Sequence, residues 1–442
     1  MPSSDANGAH PSSGLTLHRA AWILPISSPP IMDGIVAVQD GRILEAGPSK
    51  AMLKEYALSL SCGGSRPVLL DHGDGTILPS LVNTHTHLEL SCLVGKAYAW
   101  AGFVEWIKNL IKAREACSSR DVDAGILSSI KDLRQRGIGL VGDTSNTGIS
   151  ILPLRESGLA GRVFLEAIGF RPQKEIENWK FIQSIIPYPK PQPPKPQPID
   201  YPNAYSSPER GFQVCLAAHA PYSVSSRYLQ LLQKDPLWPK HFFSIHVAES
   251  EEESIFLSTG EGELKQFLID RGGWDPDWVP PRTTPVQYLF QQGILRANTI
   301  CVHAVQVCDE DIEILARTYS KVCICPRSNH TLGVGLAPVE KFLQLGVSVS
   351  LGTDSLASNT SLCLWQEMFF LKNALPSLSC SQILQMATLS GALALGEKGF
   401  GSIEAGKYAS LIFLPITASS AAQVEEALVL EGHAKDVRWI SQ

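Results

Sequence analysis

The sequence predicts an α/β protein: a (β/α)8 TIM barrel carrying a small β-sandwich-like composite domain formed by both chain ends. Three observations carry this. Apolar runs with strand character alternate with longer amphipathic stretches through the middle of the chain, the pattern of parallel strands joined by crossover helices. Eight such runs occur, at residues 76–84, 139–143, 162–169, 213–218, 242–247, 299–302, 322–325 and 347–352. Nearly every run ends in polar groups: His85 and His87, Asp143, Glu166, His219, His246 and Glu249, His303, Arg327 and Asn329, and Asp354. Barrels of eight parallel strands carry their active sites at that end. Finally, the two ends of the chain share a turn-and-strand texture that the middle lacks.

Taken in order, residues 1–14 are rich in Ser, Pro, Asn and Gly and read as a disordered tail. Residues 15–75 read as the first part of the small β domain, with strands at 15–23, 34–38 and 42–47 and a turn at Gln39-Asp40-Gly41. Residues 76–400 form the barrel. It is interrupted by a Pro-rich insertion at 187–202, in which Pro-Lys-Pro-Gln-Pro occurs twice in tandem. That composition favours an exposed polyproline II strut, either a solvated insertion between the third and fourth barrel units or a docking segment for an SH3-like partner. Residues 401–442 return to short strands, with Gly406-Lys407 resembling a hairpin tip, and the two ends are expected to pair in one sheet.

Composition narrows the partners. A net charge of −6, with 37 basic residues scattered without a stripe, argues against nucleic acid. The start of the chain has no apolar core of the signal-peptide kind and no run of about 18 apolar residues occurs, so no membrane association and a cytoplasmic location are expected. The partner is then a small-molecule substrate, with homo-oligomerisation left open. Ten cysteines form no Cys-X-X-Cys pair and lie mostly in apolar runs, as reduced core thiols do; Cys323 and Cys325 read as a buried pair.

His85-Thr86-His87 is the strongest chemical signal. On a strand, residues i and i+2 share a face, so two imidazoles aim at one point where the strand meets a cavity. A hydrolytic metal site needs three or four protein ligands, an open position, a group that manages the proton of water and an acid for the leaving group. His246 supplies a third imidazole. Asp354 supplies a carboxylate ligand that also takes a proton. Glu249, three residues beyond His246, stands near the metal as general acid/base. His303 either binds metal or polarises the reacting centre, and the second role suits a one-metal site. The fourth strand contains no lysine that could bridge two ions, so a single divalent ion is expected, Zn with Fe as the alternative the same donors accept.

His85-Thr86-His87, His246-Val247-Ala248-Glu249, Cys301-Val302-His303 and Gly352-Thr353-Asp354 resemble the metal and catalytic signature of the amidohydrolase superfamily, in its cytosine and adenosine-type deaminase branch. The resemblance covers residues 15 to about 415. Within that branch, residues 219–224, 325–329 and 353–359 look like the S-adenosylhomocysteine/methylthioadenosine deaminases and the aminodeoxyfutalosine deaminases of menaquinone biosynthesis. Residues 87–91 and 102–106 lean toward the second group. The resemblance implies His85, His87, His246 and Asp354 as metal ligands, Glu249, His303 and Asp354 as catalytic groups, and His219 as a substrate contact. Asn329 is a further hint of the pocket. Trp106 and Glu115 fall where such deaminases place a base-packing aromatic and a carboxylate for ribose hydroxyls; a helix-face anchor and a solvated charge are the other readings. Ser410 departs from the pattern, which has an aspartate there.

The implied activity is hydrolytic deamination of an aminopurine nucleoside derivative, of the aminodeoxyfutalosine, S-adenosylhomocysteine or methylthioadenosine type, to the 6-oxo product plus ammonia. Two alternatives stand beside it. One is a related amidohydrolase acting on another C–N or C–Cl bond, in guanine, cytosine, a triazine or a cyclic amide. The other is an inactive scaffold that binds partners through the Pro-rich segment.

Overall fold

The computed structural model of the chain describes residues 14–61, 67–97, 102–186, 212–236, 238–239 and 241–440. The Pro-rich insertion at 187–202 and nearly all of the expected tail lie outside the described residues.

The strands run in chain order as β1 (Thr16–Ile23), β2 (Ile31–Gln39), β3 (Arg42–Pro48), β4 (Val68–Asp71), β5 (Thr76–Pro79), β6 (Leu81–Thr86), β7 (Ile138–Ser145), β8 (Ala160–Ala167), β9 (Phe212–Ala218), β10 (Phe243–Val247), β11 (Thr299–His303), β12 (Lys321–Ile324), β13 (Val349–Leu351), β14 (Leu411–Leu414) and β15 (Arg438–Trp439). Strands β6 to β13 form one parallel sheet in sequential order. It closes on itself where Thr86 bridges Asp354 and the amides of Thr353 and Asp354 donate to the His85 carbonyl, at 3.0 and 3.1 Å. This is the expected eight-stranded barrel with helices between its strands.

Its strands read as nearly continuous apolar runs because both faces are covered: every residue of β6, β7, β10 and β11 is buried. Inside, Val82, Leu140, Phe164, Cys215, Ile300, Val302, Cys323 and Cys325 pack together. The barrel is therefore a filled core below its mouth. Cys323 and Cys325 are the buried free thiols expected of them. Among the described residues, no helix is long and apolar enough to cross a membrane.

The second sheet runs β15-β14-β5-β1-β2-β3, with β4 also paired to β1, so both chain ends contribute to it. Asp40 and Gly41 both have positive φ, 53° and 71°, the geometry of a two-residue hairpin turn joining β2 to β3. Gly406 sits in a turn whose amide donates to the Ile43 carbonyl at 2.8 Å, and Tyr408 bridges Arg42, so this tip docks on β3. Ile23, Val36, Ile43, Ile77, Leu411 and Phe413 form its apolar centre.

The run expected as one barrel strand over 76–84 is two strands. Thr76–Pro79 pairs with β1 and β14 in the small sheet, and Leu81–Thr86 begins the barrel. Pro79 has no amide to extend a ladder, and at Ser80 the backbone bonds across to the Ser410 carbonyl. At the departing position, the Ser410 hydroxyl meets that of Ser80 at 2.8 Å.

Candidate metal and catalytic centre

The strand ends deliver four donor atoms to one point. Nε2 of His246 lies 3.2 Å from Nε2 of both His85 and His87, and Asp354 Oδ1 lies 3.6 and 3.7 Å from the same two nitrogens. Ring nitrogens this close share either an N–H or a cation, and a cation is the partner that accepts all three lone pairs at once. A tetrahedral ion with donors at about 2.0–2.1 Å has donor–donor edges of about 3.3–3.4 Å. The spacing and the three-imidazole, one-carboxylate set therefore fit a divalent metal.

Each donor is aimed by a second contact, as metal ligands generally are. His246 Nδ1 donates to the His219 carbonyl at 2.8 Å, which leaves its Nε2 lone pair for the metal. His85 Nδ1 meets Thr144 Oγ1 at 3.3 Å. Asp354 Oδ2 accepts from the Ser328 and Ser358 hydroxyls at 2.7 and 2.8 Å, so Oδ1 is the oxygen left facing the imidazoles. The backbone is strained at the same place: Ala248, His303, Ala304 and Asp354 all have φ between 48° and 72°. Positive φ is costly for non-glycine residues and tends to collect where a site demands a particular side-chain direction.

Glu249, His303 and Asp354 form the adjoining cluster, with one polar atom of each within 4.8 Å of the others. Burial, then the charge of Asp354, pushes the Glu249 carboxyl up to about 8. Burial takes His303 well below the usual imidazole range, so it is neutral. Its Nδ1 accepts from the Asn329 amide at 3.0 Å, which places the His303 proton on Nε2, 3.5 Å from Glu249 Oε1. Asp354 behaves oppositely: burial opposes its charge, but the neighbouring His85, His303 and His87 imidazoles hold it well below the usual carboxylate range.

These groups open into a cavity of about 410 Å³. One wall is apolar, built from Trp106, Ile107, Leu110 and Ile111 on the helix Phe103–Glu115, and Ile168 and Phe267 add to the apolar lining. The Trp106 indole is buried and its Nε1 donates to the Ala357 carbonyl at 3.2 Å, so it is both an anchor and a piece of wall. His219 lines the cavity with Nδ1 on Ser223 Oγ at 2.5 Å, and burial lowers its imidazole to about 4.

The other two expected pocket residues are placed differently from each other. Glu115 lines the cavity at its solvent-facing end, with a largely exposed side chain that Arg271 approaches at 3.5 Å. Asn329 is buried behind His303 with its amide committed to that ring. Glu166 reaches the cavity at the end of β8, next to His219 and His246, without having been given a part. Ser328 and Ser358 lie within the motifs at 325–329 and 353–359, which assign them no role. Their hydroxyls reach Asp354 across 26 and 4 residues, and nothing in the local pattern marks that contact.

Comparison with known proteins agrees with this geometry. The model of the amidohydrolase family matches residues 76–434. The chain is 28% identical over 412 residues to the 5-methylthioadenosine/S-adenosylhomocysteine deaminase of Moorella thermoacetica, covering 91% of this chain and 86% of that one. It is 29% identical over 341 residues to the aminodeoxyfutalosine deaminase of Deinococcus radiodurans, covering 74% and 75%. The crystal structure of Helicobacter pylori aminofutalosine deaminase in complex with methylthio-coformycin superposes with a TM-score of 0.77 at 24% identity, over 96% of this chain and 97% of that one.

Proposed function

Because the chain belongs to the amidohydrolase family and is a carbon–nitrogen hydrolase of its deaminase kind, we propose that it converts an aminopurine nucleoside derivative to the 6-oxo product and ammonia. The methylthioadenosine, S-adenosylhomocysteine and aminodeoxyfutalosine types are the substrates considered. The observation that carries the reading is Glu249: a buried carboxyl, pushed up to about 8 by that burial, set beside the four converging donors of His85, His87, His246 and Asp354 in a cavity with one apolar wall. An aromatic amine is a poor leaving group until the ring accepts electrons, and a neutral carboxyl in reach of a ring nitrogen is the acid that allows this.

His85, His87, His246 and Asp354 would hold the ion, and the borderline N₃O donor set leads us to zinc. When bound, the metal supplies the Lewis acidity that makes water a nucleophile at neutral pH. The chain's own groups do the rest. Glu249 gives its proton to the ring nitrogen next to the amine-bearing carbon. His303, neutral and protonated on Nε2, donates to the oxygen that gains charge on attack. Asp354 Oδ1, the oxygen not held by Ser328 and Ser358, takes the proton that water releases and passes it to the amine, which leaves as ammonia, while the proton of the added hydroxyl returns to Glu249 as the 6-oxo group forms. Trp106, Ile107 and Leu110 present an apolar face to a flat base and exclude bulk water.

The test is a steady-state assay of ammonia release against methylthioadenosine, S-adenosylhomocysteine, aminodeoxyfutalosine, guanine and cytosine, alongside metal analysis. Turnover of at least one adenosine derivative and about one equivalent of metal per chain are expected. Silence on every adenosine derivative overturns the nucleoside reading.

A further inference from the structure

Buried carboxylates at the barrel mouth are mostly well supplied with hydrogen bonds. Glu89 accepts from Ser145 Oγ, from the amides of Asn146 and Thr147 and from Thr147 Oγ1. Asp143 accepts from the Leu88 amide and the Ser150 hydroxyl, and Glu367 from the Arg327 amide and the Asn359 side chain. Glu166 and Glu253 each leave Oε1 without a donor, and of the two Glu166 is the one that lines the cavity. Glu166 is 2% exposed, and its Oε2 accepts from Asn146 Nδ2 at 2.6 Å. His246 Nδ1 lies 3.3 Å from Oε1, but its proton points to the His219 carbonyl at 2.8 Å.

Leaving a buried carboxylate oxygen without a donor costs more than a lost neutral hydrogen bond; the His246 ring at 3.3 Å offsets part of that cost by electrostatic attraction but, with its Nδ1 proton on the His219 carbonyl, does not fill the donor's place. Glu166 lines the cavity, and an oxygen of it lies within 4.8 Å of a ring nitrogen of His219, another cavity-lining group. The site therefore presents a fixed acceptor, braced by Asn146, that waits for a donor from outside the protein.

We propose that Glu166 is a specificity-determining residue whose Oε1 accepts a hydrogen bond from a sugar hydroxyl of the substrate. The inference rests on the nucleoside reading above. In an N9-linked aminopurine nucleoside the base has no ring N–H, so apart from the amine that leaves, the sugar hydroxyls are the donors common to all the substrate types considered, the α-ammonium of S-adenosylhomocysteine being peculiar to that one. Glu115, at the exposed rim beside Arg271, is not needed for this contact.

The experiment compares holoenzyme with Glu166→Gln, which keeps the shape and the Asn146-facing oxygen but loses the charge. The readouts are metal content, kcat and KM for adenosine-type substrate and for its 2′-deoxy and 3′-deoxy analogues. Glu166→Gln should keep wild-type metal and lose about 10- to 100-fold in kcat/KM on the hydroxylated substrate, the range for a hydrogen bond to a charged group. On the analogue lacking the recognised hydroxyl, variant and wild type should converge within about 3-fold, as a double-deletion cycle requires. Loss of metal from the variant, or an equal loss on every analogue, overturns the proposal and makes Glu166 a support for His246. Absence of wild-type turnover on any nucleoside removes the nucleoside reading, and this inference falls with it.

Discussion

Glu249→Gln separates the chemistry from the metal. The side chain is not among the four converging donors, and its backbone amide donates to Glu253 Oε2 at 3.0 Å, a contact that an isosteric side-chain change leaves in place. Metal content should therefore stay at the wild-type level. What glutamine lacks is a proton to give. The separation between an ordinary glutamate at 4.5 and about 8 here corresponds to about 5 kcal/mol of destabilisation of the carboxylate, against the neutral form, relative to water. That destabilisation places the acid in its working state at neutral pH. Removing a positioned general acid costs about 10²- to 10⁴-fold in rate, equivalent to about 3–5 kcal/mol of barrier. The pH profile gives a second readout. Catalysis needs protonated Glu249, so wild-type kcat should fall as pH rises through its pKa; a bound cation favours the carboxylate and sets that limb at or below about 8. The residual activity of Glu249→Gln should lack this limb. Measurement of kcat from pH 5.5 to 9.5 with parallel metal analysis decides the matter. Metal loss, near-normal turnover, or an unchanged alkaline limb in the variant would each refute the role of Glu249 as the acid.

Two further substitutions probe the groups behind the site. Ser328→Ala combined with Ser358→Ala strips both hydroxyls from Asp354 Oδ2 and should weaken metal affinity about 10- to 100-fold, read by competition with a chelator, while leaving kcat of the metal-saturated enzyme within a few-fold. Unchanged affinity would mean that the carboxylate is oriented by the backbone strain at residue 354 alone. Asn329→Leu removes the donor that fixes the His303 proton on Nε2 and should lower kcat about 10-fold, the worth of one buried hydrogen bond, at full metal content. A change confined to KM would instead place Asn329 against the substrate.

The sequence and the structure agree where chemistry and strand geometry coincide. His85 and His87 were legible because a strand's two-residue period forces them to one face, and His246, His303 and Asp354 because each ends an apolar run that could only be a buried parallel strand. Pro79 was a visible break in the first run, yet its consequence needed the partners that β5 finds on β1 and β14, hundreds of residues apart in one case. The pocket was harder to read for the same reason. Glu115 and Trp106 sit on one helix with similar sequence warrants, but the helix turns Trp106 inward to Ala357 and leaves Glu115 at the rim with Arg271. Asn329 looked like a pocket residue because it follows a barrel strand, and its amide is spent on His303. Strand ends thus specify which residues reach the mouth of the barrel. Which of them face the metal, one another or the cavity depends on contacts such as Ser328 to Asp354 and Asn146 to Glu166, made between loops that only barrel closure brings together.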